Sequence, residues 1–173
     1  NCSVSIMFLS LVIVNFNGGK FLQRCFESIF KEEFEFEFEV ICIDNFSSDD
    51  SLDVIKPYLS KIKFVQNKTN RGFIRANNQG VKLATGKYVF MLNNDAFISK
   101  GAMQSMLSYF EDSDNIGALA PKLLNLDGSF QQPGGLLGSW QYSGIQPKSV
   151  QFLSGAALLM KRDVYNDIGG MDE

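Results

Sequence analysis

Short apolar segments alternate with amphipathic segments along most of this chain, and that alternation constrains the fold more than any other feature. Strand-like apolar runs lie at residues 9–14, 38–43, 62–65, 88–92, 117–120 and 156–160. Helical patterns fill gaps between them, at residues 20–31, 51–59, 73–84 and 101–110. This order predicts an α/β fold with a mostly parallel central sheet flanked by helices, because parallel strands are usually joined by a helical crossover. The nearly continuous apolar strands suit a sheet that is covered on both faces.

Two stretches depart from the alternation. Residues 34–39 alternate phenylalanine and glutamate, a period of two that predicts an extension of the second strand with its phenylalanines on one side. The alternative is a sheet edge that binds a partner. Residues 125–149 are rich in glycine, glutamine and serine and contain Pro133 and Pro147, which predicts a long excursion with little regular structure. Because residues 169–173 read as a loop, we expect residues 1–173 to form one domain that is incomplete at its C-terminus.

Composition excludes several classes of function. The chain has no histidine, which rules out histidine-based triads, histidine acid–base catalysis and histidine metal ligands. Cys2, Cys25 and Cys42 are far apart and form no CxxC pair, so neither a zinc knuckle nor a redox pair is expected. A net charge of −3 is not that of a nucleic-acid-binding surface. The apolar run at residues 6–14 is too short to span a membrane, and no basic residue precedes it as in a signal peptide.

Asparagine and aspartate follow three of the predicted strands. Because the carboxyl ends of parallel strands meet at one edge of a sheet, these side chains are expected to line one crevice. Each group alone is also ordinary turn chemistry, and Ser48 or Asp49 is a natural cap for the following helix. The three together favour a polar, acidic pocket, whose candidate residues are Asn15, Phe16, Asn17, Asp44, Asn45, Asn93, Asn94 and Asp95.

No glycine-rich phosphate loop follows the first strand. The sequence contains neither GxGxxG after that strand nor a GxxxxGK[ST] motif, which disfavours a Rossmann dehydrogenase or a P-loop enzyme. An acidic crevice can instead hold a diphosphate through Mg²⁺ or Mn²⁺, since such a cation takes one or two carboxylates and the phosphate oxygens. Asp95, after the most apolar strand, is the candidate ligand. The alternative is that residues 93–95 are a plain turn.

Five ordered segments closely resemble family 2 glycosyltransferases of the GT-A fold. They are residues 12–17, 43–49, 70–80, 84–89 and 91–95, and residues 152–162 and 168–173 are similar to a rhamnosyltransferase-like branch. The resemblance implies a bacterial, inverting, metal-dependent enzyme that moves a sugar from a UDP- or TDP-linked donor to a saccharide or lipid-linked acceptor. It further implies cell-surface polysaccharide synthesis and a cytoplasmic position, and the net charge already predicts no nucleic-acid partner. Peripheral association of the full-length protein with the inner face of the membrane is left open.

The resemblance also implies roles for particular residues. The positions of Asn15 and Phe16 line the nucleotide, and the position of Asp44 accepts the N–H of uracil or thymine. Asn93 and Asp95 fall on the family's DXD-type motif, with Asp95 as the ligand of Mg²⁺ or Mn²⁺; here the motif reads Asn-Asn-Asp, so its first carboxylate is absent.

A second set of positions completes the implied donor site. Gly72 and Asn77 fall on a segment that approaches the donor in the family, and Asn17, Asn45 and Asn94 lie beside the residues that line the nucleotide. Phe46 stands where the family usually has a small residue.

The catalytic base implied by the resemblance lies in an acidic motif shortly after a segment like residues 169–173, so the usual base is expected beyond Glu173. Residues 1–173 alone are then expected to transfer sugar poorly or not at all, and Asp172 is the substitute candidate within this chain. Two alternatives stay open. One is a non-catalytic nucleotide-binding module, a truncated or degenerate transferase domain. The other is a nucleotidyltransferase, which would want a glycine-rich, basic loop after the first strand; residues 17–20 resemble such a loop only faintly.

Overall fold

A computed structural model describes residues 8–113, 115–131, 147–150 and 153–173. The strands within them form one sheet, in the order β3-β2-β1-β4-β6-β5. These strands are β1 (Leu9–Asn15), β2 (Phe38–Asp44), β3 (Lys63–Gln66), β4 (Tyr88–Asn93), β5 (Ala118–Leu119) and β6 (Ala157–Lys161). The helices are α1 (Gly19–Phe30), α2 (Ser51–Ile55), α3 (Phe73–Leu83), α4 (Ala102–Glu111) and α5 (Arg162–Asp167).

Strands β1 to β4 run parallel, which confirms the predicted mostly parallel sheet flanked by helices. The last two strands add a different geometry, because β6 is antiparallel to both β4 and β5. An apolar run has the same composition in either direction, so the sequence pattern carried no signal for this reversal.

Helices cover both faces of the sheet. One core contains residues of α1, α2 and α4, such as Phe26 and Met103, packed on inward residues of the central strands such as Ile13. The other contains Val81 of α3 and Tyr165 near the end of α5, packed on Val12 and its neighbours. Successive strand residues therefore feed opposite cores. Full burial of a side chain such as Phe26 contributes about 1.5–3 kcal/mol.

Two elements differ from the predicted pattern. The second helix ends at Ile55 and continues as a 3-10 turn, Lys56–Tyr58, because Pro57 lacks the N–H that an α-helical bond needs. The predicted strand extension over residues 34–37 is wrong: these residues form a bend, and β2 begins at Phe38, opposite Leu9, the first residue of β1. Phe34 still packs edge-on against Phe38, with ring centroids 4.7 Å apart, so the phenylalanines share one side without a ladder.

The predicted excursion at residues 125–149 lies mostly outside the described residues, as does Cys2. Its described start is a tight turn in which Asn125 N donates to Ser129 O at 2.8 Å. In the described ranges the longest helix, α1, has 12 residues, and none of the helices there could span a bilayer.

At the amino edge of the sheet, Glu39 of β2 anchors a polar cluster. Its Oε1 accepts hydrogen bonds from Ser10 Oγ at 2.6 Å and Thr85 N at 2.8 Å, and its Oε2 lies 2.6 Å from Lys63 Nζ. Burial raises the pKa of Glu39, but the bonds from Lys63, Ser10 and Thr85 outweigh burial and hold the pKa below its ordinary value. This cluster joins β1, β2, β3 and the turn before β4 at the edge opposite the polar strand ends.

Candidate functional site

The carboxyl ends of the parallel strands meet at one edge of the sheet, where the sequence pattern predicted a cluster of polar residues. The register pairs Asn15 with Asp44 and Val14 with Asn93. The ladder continues past the strands, because Asn45 N donates to Asn15 O at 2.7 Å. The three groups of asparagine and aspartate predicted to share a crevice are therefore neighbours.

Asn15 is the junction of three loops. Its side chain is fully buried. Its Nδ2 donates to Asp44 Oδ1 and to Ser47 Oγ, each at 3.0 Å, and its Oδ1 accepts from Asn94 Nδ2 at 2.7 Å. Both N–H groups and the carbonyl oxygen are thus paired within the protein. The loops after β1, β2 and β4 are held together by this one amide.

Asp44 is also fully buried. Besides the bond from Asn15, its Oδ2 accepts the backbone N–H of Ser47 at 3.1 Å. A buried carboxylate is costly unless it is hydrogen-bonded, and these two bonds offset part of that cost. Each carboxylate oxygen has two lone pairs, so Asp44 keeps acceptor capacity beyond these two bonds.

A second amide cluster, which the sequence analysis did not predict as a group, surrounds Asn45. Asn45 Oδ1 accepts from Asn67 Nδ2 at 3.1 Å and from Arg71 N at 3.0 Å, and Asn45 Nδ2 donates to Asn70 Oδ1 at 2.8 Å. Asn67 and Gln79 exchange two hydrogen bonds of 3.0 Å. The sequence contained a signal for Asn67. This residue directly follows β3, just as Asn45 directly follows β2.

Gly72 and Asn77 both lie on the segment predicted to approach the donor, but their settings differ. Gly72 caps α3 with a φ of 81°, in the left-handed region that favours glycine. Its N donates to Asn70 Oδ1 at 2.8 Å, and its O accepts from Asn45 Nδ2 at 3.4 Å. Asn77 is buried, and its Nδ2 donates to Phe73 O in its own helix at 3.0 Å, so it is not joined to the amide cluster.

The carboxylate of Asp49 accepts hydrogen bonds from the N-termini of two helices. Its Oδ2 accepts from Gly19 N, at the start of α1, at 3.1 Å, and its Oδ1 accepts from Ser51 N, at the start of α2, at 3.0 Å. Slight burial raises the pKa of Asp49, but the bonds from Ser51 and Gly19 prevail and hold the pKa below its ordinary value. The start of α1 thus already holds an anion, unlike the free helix end of a Rossmann phosphate site.

Asp95 lies exposed on the turn after β4. Ala96 N closes this turn on Asn93 O at 3.1 Å. Burial, and to a smaller extent the charge of Asp95, raise the pKa of the nearby Cys25 thiol to about 12. Cys25 is therefore protonated at neutral pH. Within the described ranges no group of three or more Asp, Glu, Cys or His side chains could hold a metal ion. A single exposed carboxylate fits a cation bound mainly by a ligand's phosphates.

Exposed aromatic side chains stand around the polar edge. Phe16 is 48%, Phe46 54% and Phe73 45% exposed. The loops that carry Phe16 and Phe46 are joined, because Asn17 Oδ1 accepts from Ser48 N at 2.8 Å. Aromatic faces beside buried hydrogen-bonding groups suit a planar, polar ligand.

Asp172 lies on the exposed segment after α5, which α3 holds in place. Asn78 of α3 accepts from Met171 N at 3.0 Å and donates to Met171 O at 2.9 Å. Glu173 Oε2 lies 3.0 Å from Arg75 Nε. Asp172 is therefore flanked by residues bonded to the same helix that Gly72 caps.

Comparison with known proteins agrees with this architecture. The sequence model of the family described as "Glycosyl transferase family 2" matches residues 10–169. Among the similar curated proteins, the poly-beta-1,6-N-acetyl-D-glucosamine synthase of Staphylococcus epidermidis is 27% identical over 95% of this chain and 42% of its own length. The poly(ribitol-phosphate) beta-N-acetylglucosaminyltransferase TarP of Staphylococcus aureus is 30% identical over 62% of this chain and 34% of its own length.

Solved structures show the same fold, and with it the GT-A architecture. TarS 1-349 of S. aureus in complex with UDP-GlcNAc superposes with a TM-score of 0.75 at 22% identity, over 94% of this chain and 48% of that one. The mannosyltransferase PcManGT of Pyrobaculum calidifontis, in complex with GDP-Man and Mn²⁺, gives a TM-score of 0.72 at 14% identity, over 95% and 47% of the two chains. This chain spans less than half the length of the proteins named here.

Proposed function

Since this chain belongs to glycosyl transferase family 2, we propose that the carboxyl edge of its sheet binds a UDP- or TDP-linked sugar. The protein would transfer that sugar, with inversion, to a saccharide or lipid-linked acceptor in cell-surface polysaccharide synthesis. Support comes from the relatives, which include a poly-N-acetylglucosamine synthase and a poly(ribitol-phosphate) glycosyltransferase, and from a structural neighbour with bound UDP-GlcNAc. The rhamnosyltransferase-like branch and the position at the membrane remain predictions from the resemblance.

The observation that carries the proposal is the junction of three strand ends at Asn15. Its bonds to Asp44, Ser47 and Asn94 give the loops after β1, β2 and β4 one preset geometry. Ligands of open α/β sheets bind at this edge. Because these loops are already ordered, less conformational entropy is lost when a ligand binds.

In this proposal the nucleotide base of the donor is recognised at the carboxyl end of β2. Asp44 accepts the N–H of uracil or thymine through a lone pair that its protein partners leave free. Phe16 supplies an apolar face on the adjoining loop. Arg71, exposed just before α3, supplies positive charge at the edge for the diphosphate.

Mg²⁺ or Mn²⁺ would be held by Asp95 together with the diphosphate of the donor. The exposed single carboxylate fits this arrangement, because Mg²⁺ is commonly bound by one or two carboxylates plus substrate phosphates. When bound, such a cation supplies positive charge to the departing diphosphate. A neighbour of the same fold was solved with GDP-Man and Mn²⁺, which supports a divalent cation as the cofactor.

Inverting transfer needs a base that takes the proton of the acceptor hydroxyl. Asp172 is the candidate within this chain, since it is exposed and its neighbours Met171 and Glu173 are held against α3. The family resemblance offers an alternative, a base that follows residue 173 in a longer polypeptide. Comparing turnover of Asp172→Asn with the parent, in this chain and in an extended one, separates the two.

The test of donor binding is calorimetry with UDP, TDP, GDP and CMP, each with Mn²⁺ or with EDTA. We expect UDP or TDP to bind most tightly and Mn²⁺ to strengthen binding. A preference for GDP, or no binding by any of the four, would contradict the proposal. Release of UDP from UDP-GlcNAc should then be measured, because nucleotide binding without turnover would favour the non-catalytic module.

A further inference from the structure

Phe46 has a backbone conformation that its side chain disfavours. Its φ is 74°, and in the described part of the chain the other non-glycine residue with positive φ is Asn17, at 50°. Asparagine tolerates this left-handed region, whereas a bulky aromatic residue there is an outlier.

The flanking residues impose this conformation whatever side chain residue 46 carries. On one side, buried Asn45 is fixed by Asn67 and by the backbone of Arg71. On the other side, Ser47 N donates to Asp44 Oδ2 at 3.1 Å, and Ser47 Oγ accepts from Asn17 N at 2.9 Å. Glycine would satisfy the same backbone without a Cβ in the left-handed region. Folding of this loop therefore does not explain a phenylalanine.

Core packing does not explain it either. The ring is 54% exposed, and among the described residues it does not belong to the side chains packed against either hydrophobic core. An aromatic ring that is strained at its backbone and exposed at a candidate site points to a role in ligand contact. The hydrogen-bonded flanking residues hold the strained backbone in place. Contact with a ligand would then account for a phenylalanine at this position.

We infer that Phe46 stacks against the base of the bound nucleotide. This inference rests on the proposed donor site and adds a residue to it. Asp44, two residues before Phe46, offers the acceptor for the base N–H, and Phe16 is exposed on a loop bonded to the same segment. A ring face beside a hydrogen-bond acceptor recognises a planar heterocycle, with the face supplying affinity and the acceptor supplying selectivity.

The test uses Phe46→Gly and Phe46→Asn, which remove the ring and accept the backbone conformation. Both variants should keep or raise Tm while UDP affinity, measured by calorimetry with Mn²⁺, falls by roughly 5- to 150-fold, the range for loss of one base–aromatic stack. Tyr109→Ala is the matched control. It removes an exposed ring, 37% accessible, from α4, close to Glu111, which pairs with Lys87 at the opposite edge of the sheet, and it should leave UDP affinity unchanged.

A second ligand separates stacking from other effects of the substitution. In 5,6-dihydro-UDP the base keeps its N–H and carbonyls but loses its aromatic face. The unmodified protein should prefer UDP over this analogue, and Phe46→Gly should lose most of that preference. Equal UDP affinity in the parent and Phe46→Gly would overturn this inference alone. A parent protein that binds neither UDP nor TDP would overturn the proposed donor site, and the role of Phe46 with it.

Discussion

The side-chain amide of Asn94 donates to Oδ1 of Asn15 at 2.7 Å, across the space that a side chain at residue 18 would fill. A Cβ on Gly18 would lie 1.9 Å from Asn94 Nδ2 and 2.9 Å from Asn15 Oδ1. The contact between the loops after β1 and β4 therefore depends on a glycine at residue 18, because glycine has no side chain to fill this space.

Gly18→Ala should break this contact. We expect a loss of about 1–3 kcal/mol of unfolding free energy, as for other insertions into packed sites, and weaker UDP binding. Urea unfolding and calorimetry measure the two effects. Gly117→Ala is a control for the stability assay, since its added Cβ would lie 3.6 Å from Val164 Cγ1, an ordinary contact distance. A Gly18→Ala variant with the stability and affinity of the parent would show that the loops do not need this contact.

Asp95→Ala should abolish the enhancement of UDP binding by Mn²⁺, because Asp95 is the carboxylate of residues 93–95. Asn93→Ala should weaken the enhancement less, since an amide carries no charge. Calorimetry with and without Mn²⁺ gives the ratio directly. Asp163→Asn is the matched control, an exposed carboxylate in the first turn of α5. If Asp95→Ala keeps the Mn²⁺ enhancement of the parent, the metal assignment is wrong.

Asp44→Ala should weaken UDP or TDP binding by about 1.5–3 kcal/mol, the usual value of a hydrogen bond to a charged group. The same variant should also lose stability, since Asn15 and the Ser47 N–H lose their acceptor. Ser47→Ala gives the comparison, because it disturbs this loop through its hydroxyl and keeps the carboxylate. Should Asp44→Ala and Ser47→Ala bind UDP equally well, the direct contact between Asp44 and the base would be refuted.

Stability should depend on Glu39 most strongly near neutral pH. Burial opposes its ionisation, but the bonds from Lys63, Ser10 and Thr85 prevail, so its folded pKa lies below the unfolded value of about 4.3. The carboxylate therefore stabilises fully above the unfolded pKa, and this stabilisation is lost as the pH falls through the folded pKa.

Urea unfolding of the parent and of Glu39→Gln checks this sign. The difference between the two midpoints should be largest near neutral pH and shrink in acid. Glu35→Gln, at an exposed glutamate, should show little difference at any pH. A parent–variant gap that stays constant into strong acid would contradict the assignment.

Asn78→Ala should destabilise the protein by about 1–3 kcal/mol, because it leaves a buried hydroxyl and a half-buried N–H unpaired. Asn78 receives the Tyr165 hydroxyl at 2.5 Å and the Met171 N–H at 3.0 Å. Tyr165→Phe removes one of these bonds and should cost less. Asn77→Ala is the neighbouring control, since Asn77 bonds within its own helix. Hydrogen exchange should rise around Met171 in Asn78→Ala, and unchanged exchange there would sink the anchoring role.

Much of the fold could be predicted because burial leaves a direct imprint on the sequence. The run at residues 9–14 matches β1, Leu9–Asn15, and the run at 88–92 matches β4, Tyr88–Asn93. The rule that polar residues after parallel strands share an edge located Asn15, Asp44 and Asn94 correctly. The same rule, applied to β3, would have found Asn67.

The partners of these residues could not be predicted. Asn94 and Asn15 are 79 residues apart, and which amide meets which depends on loop conformations such as the positive φ at Phe46. A pattern of residue types contains no such dihedral. The short helix α5 was missed for a related reason, since six residues are too few for an apolar period to show.

The amide clusters around Asn15 and Asn45 have a consequence for how the protein responds to salt. Side-chain amides carry no net charge and do not titrate, so the bonds among Asn15, Asn94, Asn45, Asn67 and Gln79 are little affected by ionic strength. The shape of the loops should stay constant across a salt series. The salt dependence of ligand affinity would then report on the ligand's phosphates and their counter-charges, with little contribution from rearrangement of the protein.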